Sequence, residues 1–275
     1  SKGNVLDPLE LIEQYGTDAL RFTLTAMAAQ GRDLKLSKSR IEGYRNFAPK
    51  LWNASSYTEL NDCKSNPDFD PNNCKLAINN WIIFELRNAA IKVETSIQNY
   101  RFNDAANAIY QFSWATFCDW YLEFTKPILA GKDTDSIAET KATTMWILKG
   151  ILNSLNPIMP YLTEELWERL GFGTLLINEG WTSFDNVEPD IAAAKEIEWV
   201  VSLISEIRSL RAETGVPNKS TANLILKEAN IDHQSYLANN NNIICKLANL
   251  DGTNVISGPL PPETIQGVIK GVSFG

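Results

Sequence analysis

At 275 residues, 44% of them hydrophobic, the chain has the length of about two domains and ample material for a core, with a formal net charge of −8. It contains no run of about 18 apolar residues and does not open on a cationic segment followed by an apolar one, so no membrane partner is expected. Cys63, Cys74, Cys118 and Cys245 are scattered without a C-x-x-C pair and His233 is the single histidine, which argues against a zinc site or a histidine-based triad and for free thiols in a reducing cytosol.

Asp7, Pro8 and Glu10 spell a helix opening, with an N-cap, a proline at the first helical position and an acidic residue placed as in a capping box. Leu9 and Ile12 are its expected apolar side, and Gly16 ends it. Thr17 is expected to cap a second helix carrying Leu20, Leu24 and Met27, with Phe22 nearby, closed by Gly31. Residues 33–36 read as a short extended piece. From Ser37 as N-cap, the spacing predicts one helix to about residue 60, with Ile41, Tyr44, Ala48, Leu51 and Ser55 on a stripe flanked by Phe47 and Trp52. Pro49 lies inside it, where a proline removes one backbone hydrogen bond and favours a kink.

This stretch is also the basic part of the chain. Arg32, Lys35, Lys38, Arg40, Arg45 and Lys50 outnumber Asp33 and Glu42 within residues 31–57. A basic island on an acidic protein points to a polyanion site, although a solvated positive helix face fits the charge as well. Arg40, Lys50 and Tyr57 are expected at the rim, where cations meet phosphates and a ring offers its face to an unstacked base.

Residues 61–74 read as a loop. A long amphipathic helix is predicted from 76 to near 100, with Trp81, Leu86, Ala89 or Ala90, Val93 and Ile97 along it. Asn103 is expected to cap the next, whose stripe of Ala106, Ile109, Phe112, Phe117, Trp120, Tyr121 and Phe124 reads mostly as core and ends at Pro127. A third long helix over 136–155 places Met145, Leu148, Leu152 and Leu155 inward, and Thr163 is expected to cap a short one. Short loops between these helices imply an antiparallel bundle. Residues 174–188 read as irregular, with Trp181 and Phe184 packed on the bundle. A helix over 189–213 comes next, its stripe formed by Ile197, Val201, Ile204, Ile207 and Leu210 while Arg208 and Arg211 face outward. Strand, helix and strand over 222–226, 235–250 and 254–257 give a small α/β unit, and 258–275 has strand character without a closing element.

Five segments carry a family resemblance. RNFAPKLWNAS at 45–55 resembles the RNF-x-x-KLWNA signature that opens the anticodon-binding helical domain of the valyl-tRNA synthetase family. SKGNVLDPLELIEQYGTDALRFTL, at the start, resembles the family's segment after the class I motif KMSKS, with Ser1 as the motif's last residue. FCDWYLEFTKP at 117–127, PIMPYLTEELWERL at 157–170 and IRSLRAETGVP at 207–217 continue the resemblance in the family's order. It implies a mainly α fold: an antiparallel helical bundle with a small C-terminal α/β subdomain. The expected divisions are 1–36, a linker after the KMSKS loop in the stem-contact region; 37–187, the anticodon-binding bundle; and 188–275, cut before a coiled coil. The implied tRNA-binding residues are Arg32, Lys35, Arg40, Lys50 and Tyr57, the family's arginine aligning with Arg40 or its neighbour Ser39. Ser1 and Lys2 would be the trailing edge of the ATP-contacting loop, although read alone they are a frayed terminus.

The implied enzyme ligates valine to tRNA in the cytoplasm as a monomer, using ATP and Mg2+. Its catalytic and editing domains fall outside this chain, which is expected to hold no cofactor, no metal and no catalytic residue. The implied partner is the anticodon loop of valine tRNA, not DNA. Pro49, Tyr57 and Asn156 depart from the family, which favours another residue, phenylalanine and histidine at these positions. The isoleucine and leucine enzymes are the rivals within class I; a helical protein-interaction module is the rival outside it.

Overall fold

The computed structural model describes residues 7–31, 34–217, 219–262 and 264–275. The chain forms two units, Ser1–Pro189 and Asp190–Gly275.

The first unit is helical. Helix α1, Pro8–Tyr15, starts as its sequence dictates: the Asp7 carboxylate accepts from the Leu9 N–H at 2.8 Å, and Pro8 occupies the first position. Its inward residue is Leu11, whereas Leu9 is 70% exposed, so the expected apolar side is rotated. Leu11 packs with Ala19, Leu20 and Ile41, and Ile12, Tyr15 and Leu36 cover this small core. Helix α2, Thr17–Met27, ends at Ala28, before Gly31, and buries Phe22 while leaving Leu24 exposed.

The helix expected over 37–60 is two helices, α3 (Lys38–Arg45) and α4 (Phe47–Leu60). Pro49 explains the break. In one continuous helix its ring would press on the Arg45 carbonyl four residues back and leave that carbonyl without its donor. With the break at Asn46, Pro49 stands in the first turn of α4, where a missing N–H costs little, and Lys50 N–H restarts the ladder on Asn46 O at 3.3 Å. Leu34 to Leu36 form no strand.

Helix α5 (Ala77–Gln98) turns tightly through Tyr100, at φ +56°, into α6 (Phe102–Gln111), so Asn103 lies inside α6 and Arg101 caps it. Phe112–Tyr121 then continues as a π-helix and passes into α7, Leu122–Leu129. The buried rings Phe112 and Phe117 are five residues apart, the spacing of i→i+5 bonding. Pro127 does not end the helix: it lies within α7, where the Thr125 hydroxyl two residues earlier donates to the Leu122 carbonyl at 2.8 Å.

Helix α8 (Thr134–Leu155) places Met145, Leu148, Leu152 and Leu155 inward. It approaches α5 closely at Gly150, where an added Cβ would lie 2.7 Å from a Leu86 methyl. Helix α9 (Pro160–Arg169) begins at its proline, and Thr163 sits inside it, donating to Met159 O at 2.9 Å. The cap of α9 comes from α2: Asp18 accepts from the Leu162 and Tyr161 N–H groups at 2.6 and 3.4 Å, and Arg21 donates to the Pro157 and Ile158 carbonyls. In the irregular stretch after α9, Phe184 is buried against Trp146, whereas Trp181 remains partly exposed.

A buried polar chain joins these elements. The Tyr121 hydroxyl donates to Asn79 Oδ1 at 2.9 Å, and Asn79 Nδ2 donates to Glu139 Oε1 at 2.9 Å. Glu139, on α8, also accepts from the Lys75 and Leu76 N–H groups at 2.9 and 3.0 Å, capping the start of α5.

The second unit opens with α10, Ile191–Glu213, capped by Asp190, which accepts from Ala193 N–H at 2.9 Å. Its buried face is Ile197, Val200, Leu203, Ile204 and Ile207, with Trp199 beside them; Val201 and Leu210 are only half-buried. Arg208 and Arg211 are spoken for: Arg208 donates to Leu247 O at 2.8–2.9 Å, and Arg211 to Pro217 O at 3.2 Å and to Ser220 O. After β1 (Ala222–Lys227), the expected single helix is α11 (Ile231–Asn239) and α12 (Asn241–Ala248), followed by β2, Leu250–Ile256. The end of the chain closes the sheet. A hairpin of β3 (Gly267–Ile269) and β4 (Val272–Phe274) adds to β1, giving the order β2-β1-β4-β3, with β1 and β2 parallel and the other pairs antiparallel. His233 stacks on Trp199 at 5.2 Å, and burial lowers its pKa.

Tyr121→Phe is expected to destabilise the bundle by about 1–3 kcal/mol, because it strands a buried acceptor on Asn79; a thermal melt of both proteins tests this. Asp18 gives a pH signature. Burial raises its carboxyl above the ordinary 3.8, opposed by the Leu162 and Tyr161 bonds and by Arg21. Its contribution is therefore fully present below pH 3.8 and is lost as pH rises through the raised pKa. Urea titrations across that range should show wild type losing stability relative to Asp18→Asn as pH increases.

Candidate nucleic-acid interface

Of the residues expected to bind tRNA, Arg32 lies outside the described residues, as do Ser1 and Lys2. Lys35 is exposed just ahead of α3, and Arg40 is exposed on it together with Lys38 and Arg45. None of these four cations forms an ion pair among the described residues. They form a solvated basic strip.

Lys50 and Tyr57 are seven residues apart on α4, two helical turns, so they share one face roughly 10 Å apart along the axis. That face meets the π-helix and α7. Both side chains are half-buried and both polar ends have partners: Lys50 is ion-paired with Asp119, and the Tyr57 hydroxyl bonds Thr125 Oγ1 at 2.8 Å. Burial pushes the Tyr57 phenol above its usual pKa, and the Thr125 bond opposes the shift; the ring is neutral at pH 7.

A set of rings runs beside Lys50. Its ammonium lies 5.0 Å from the centre of the Trp114 ring, and Trp114 stacks on Tyr110 at 5.7 Å with 30° between planes. Tyr110 meets Tyr44 at 5.6 Å and Phe47 at 4.9 Å, and Phe22 lies beneath all three. Phe22 and Phe47 are buried, whereas Tyr44, Tyr110 and Trp114 are half-exposed, so the group is anchored in the core and opens at the rim. Burial raises the Tyr110 phenol, with further contributions from Tyr44 and Asp119 and an opposing one from Lys50.

On another side of α4, Arg169 from α9 lies 4.6 Å over the Trp52 ring and grips both Glu59 oxygens, Nε at 2.9 Å. Asn156 donates to Thr163 Oγ1 at 3.0 Å and Glu164 Oε1 at 3.3 Å, tying the end of α8 to α9. Burial pushes Cys118 up to about 12, and Cys63 and Cys74 up to about 11, so these stay thiols at neutral pH. Among the described residues, no group of three or more His, Cys, Asp or Glu side chains is arranged to hold a metal ion.

Tyr110, Trp114 and Asp119 join the site without being singled out by the sequence. Trp114 and Asp119 are placed by the π-helix, which shifts each successive face relative to an α-helical count and leaves no mark in composition, and Tyr110 lies just before it at the end of α6.

Comparison with known proteins agrees with this architecture. Residues 79–226 match the family model described as the anticodon-binding domain of tRNA ligase, and residues 1–37 match tRNA synthetases class I (I, L, M and V). The first match takes in more than half of the chain, which belongs to this family of anticodon-binding domains of tRNA ligases. Among its relatives, the valine-tRNA ligase of Mesorhizobium japonicum is 49% identical over 90% of this chain, and that of Agrobacterium fabrum is 46% identical over 98%. That of Cereibacter sphaeroides is 45% identical over 100% of it. The chain spans only 27–29% of the length of these relatives. A solved LeuRS–tRNA–LeuAMS ternary complex from Agrobacterium radiobacter K84 has the same fold over 83% of this chain and 24% of its own, with a TM-score of 0.54 and 19% identity.

The break before α4 yields a test. Because Pro49 occupies a first-turn position that suits it, Pro49→Ala is expected to cost about 0.4–1 kcal/mol through the freer unfolded chain. A higher urea midpoint in the variant would instead mean that the proline strains α4.

Proposed function

We propose that the chain reads the anticodon loop of valine tRNA on behalf of a valine-tRNA ligase, which forms valyl-adenylate from ATP and passes valine to the tRNA. The observation that carries this reading is the shared face of Lys50 and Tyr57 beside the half-exposed rings of Tyr44, Tyr110 and Trp114. Unpaired bases of an RNA loop stack on such rings and offer their edges to nearby polar groups, while the exposed strip of Lys35, Lys38, Arg40 and Arg45 suits the loop's phosphates. Arg32 extends that strip in sequence. ATP and its Mg2+ would be held elsewhere in the enzyme, with Ser1 and Lys2 at the margin of the nucleotide loop. The enzyme acts as a monomer in the cytoplasm and takes no DNA. The names of the relatives favour valine over the isoleucine and leucine enzymes and over a helical interaction module.

In this proposal the domains divide near residues 36 and 187, the bundle between them holding the loop. Each residue has a distinct task. The cations of α3 attract the backbone, Lys50 meets a base or phosphate at the foot of the rings, and Tyr57 presents a ring face while Thr125 fixes its hydroxyl.

Binding of the purified chain to valine tRNA, and to the same tRNA with altered anticodon bases, tests the reading at two salt concentrations. Loss of affinity on altering the bases supports it; equal, salt-sensitive affinity for both would reduce the contact to nonspecific phosphate binding. Lys50→Ala should weaken binding by on the order of 1 kcal/mol, about five-fold. Tyr57→Phe should bind as wild type does, because the hydroxyl faces Thr125, whereas Tyr57→Ala should lose about 1–3 kcal/mol of stacking.

A further inference from the structure

Cations lie over aromatic rings at several places in the bundle, and they differ in what they leave available. Arg169 over Trp52 is engaged with both oxygens of Glu59 and with Ser56, so its fork clamps α9 to α4. Lys50 over Trp114 is held by one carboxylate, Asp119, and both remain reachable, their side chains 30% and 42% exposed. The neighbouring Lys35, Lys38, Arg40 and Arg45 have no acidic partner among the described residues. Lys50, over Trp114, is therefore neutralised, and the cations of α3 and its approach are not.

Phosphates and bases respond oppositely to such a pair. A backbone phosphate presents acceptors only; it is drawn to an unpaired ammonium and repelled by a carboxylate beside it. A base edge presents donors and acceptors side by side. An ammonium next to a carboxylate is its complement, since the ammonium donates to a carbonyl or ring nitrogen while the carboxylate accepts from an amino group or ring N–H. The Trp114 ring adds a surface on which that base can stack.

We infer that Asp119 is a specificity-determining residue: by neutralising Lys50 beside Trp114, it makes this point of the basic rim a reader of an unstacked base edge and not a phosphate hook. The inference rests on the anticodon-loop reading above. It assigns Asp119 direct contact with RNA and gives the π-helix a purpose, because that segment carries both Trp114 and Asp119 to Lys50.

The test compares the chain and its Asp119→Asn variant on valine tRNA, on the same tRNA with abasic anticodon nucleotides, and on polyuridylate, across a salt series. Abasic nucleotides keep every phosphate and remove every edge. Wild type is expected to lose at least ten-fold in affinity on the abasic tRNA. Asp119→Asn should lose several-fold less, bind polyuridylate more tightly, and show a logarithmic salt slope steeper by about 0.7, the value for one more phosphate contact on a single strand. Asp119→Glu, which keeps the charge, should restore discrimination. If wild type discriminates and Asp119→Asn does so equally with an unchanged salt slope, Asp119 is only a structural partner of Lys50 and the inference fails alone. If wild type does not discriminate, the anticodon reading fails and takes the inference with it.

Discussion

The geometry of the rim depends on a polar chain beneath the π-helix that runs from the buried Tyr121 and Asn79 to the half-buried Glu139. Tyr121, Asn79 and Glu139 belong to the π-helix, α5 and α8, and each bond in the chain joins two different elements. Apolar packing alone lets helices slide by a fraction of a turn at modest cost, whereas a buried donor without its acceptor costs about 1–3 kcal/mol. The chain therefore fixes the phase of the π-helix against the bundle. Thr140 and Thr144 reinforce it, at 3.3 Å from Asn79 Nδ2 and from the Tyr121 hydroxyl. Once Tyr121 is fixed, so are Asp119 two residues earlier and Trp114 seven residues earlier, on the side that meets Lys50.

Much of this is legible in the sequence because local chemistry decides it. The Asp7-Pro8 start of α1 and the inward residues of α8 appear where spacing and capping place them. Sequence and structure part where one residue has two readings that only tertiary context separates. Pro127 looks like a terminator but is carried inside α7, whereas α9 starts at Pro160, three residues before the cap expected at Thr163. Arg208 and Arg211 look solvated by helical spacing, yet carbonyls of Leu247, Pro217 and Ser220 are within reach. Strand character over 258–275 is legible, but the hairpin by which β3 and β4 join the sheet is not, because strands of three residues carry too few alternations to fix their pairing.

The candidate site is legible in part. Its cations announce themselves by charge, and the family signature points to Lys50 and Tyr57. Its rings do not. Tyr110 and Trp114 sit four residues apart, an α-helical spacing across the junction of α6 with the π-helix, and look like any aromatic pair of a core. Asp119 is an isolated acid between hydrophobic residues, and only the fold brings it to a lysine 69 positions earlier in the chain.

The overall charge of −8 and the basic strip are reconciled by the same principle. In the proposed reading, the net-negative surface disfavours RNA in general, and the exposed cations on α3 and just ahead of it, unpaired among the described residues, supply a local attraction. Attraction of that kind brings in any polyanion and selects none. Selection needs a place where bringing in a phosphate is no longer rewarded, and on the proposed reading that place is Lys50, Asp119 and Trp114, where a paired ammonium lies beside a half-exposed ring. On that reading, steering and base recognition would be separated along two consecutive helices, with the break at Asn46 that Pro49 imposes as the boundary between them.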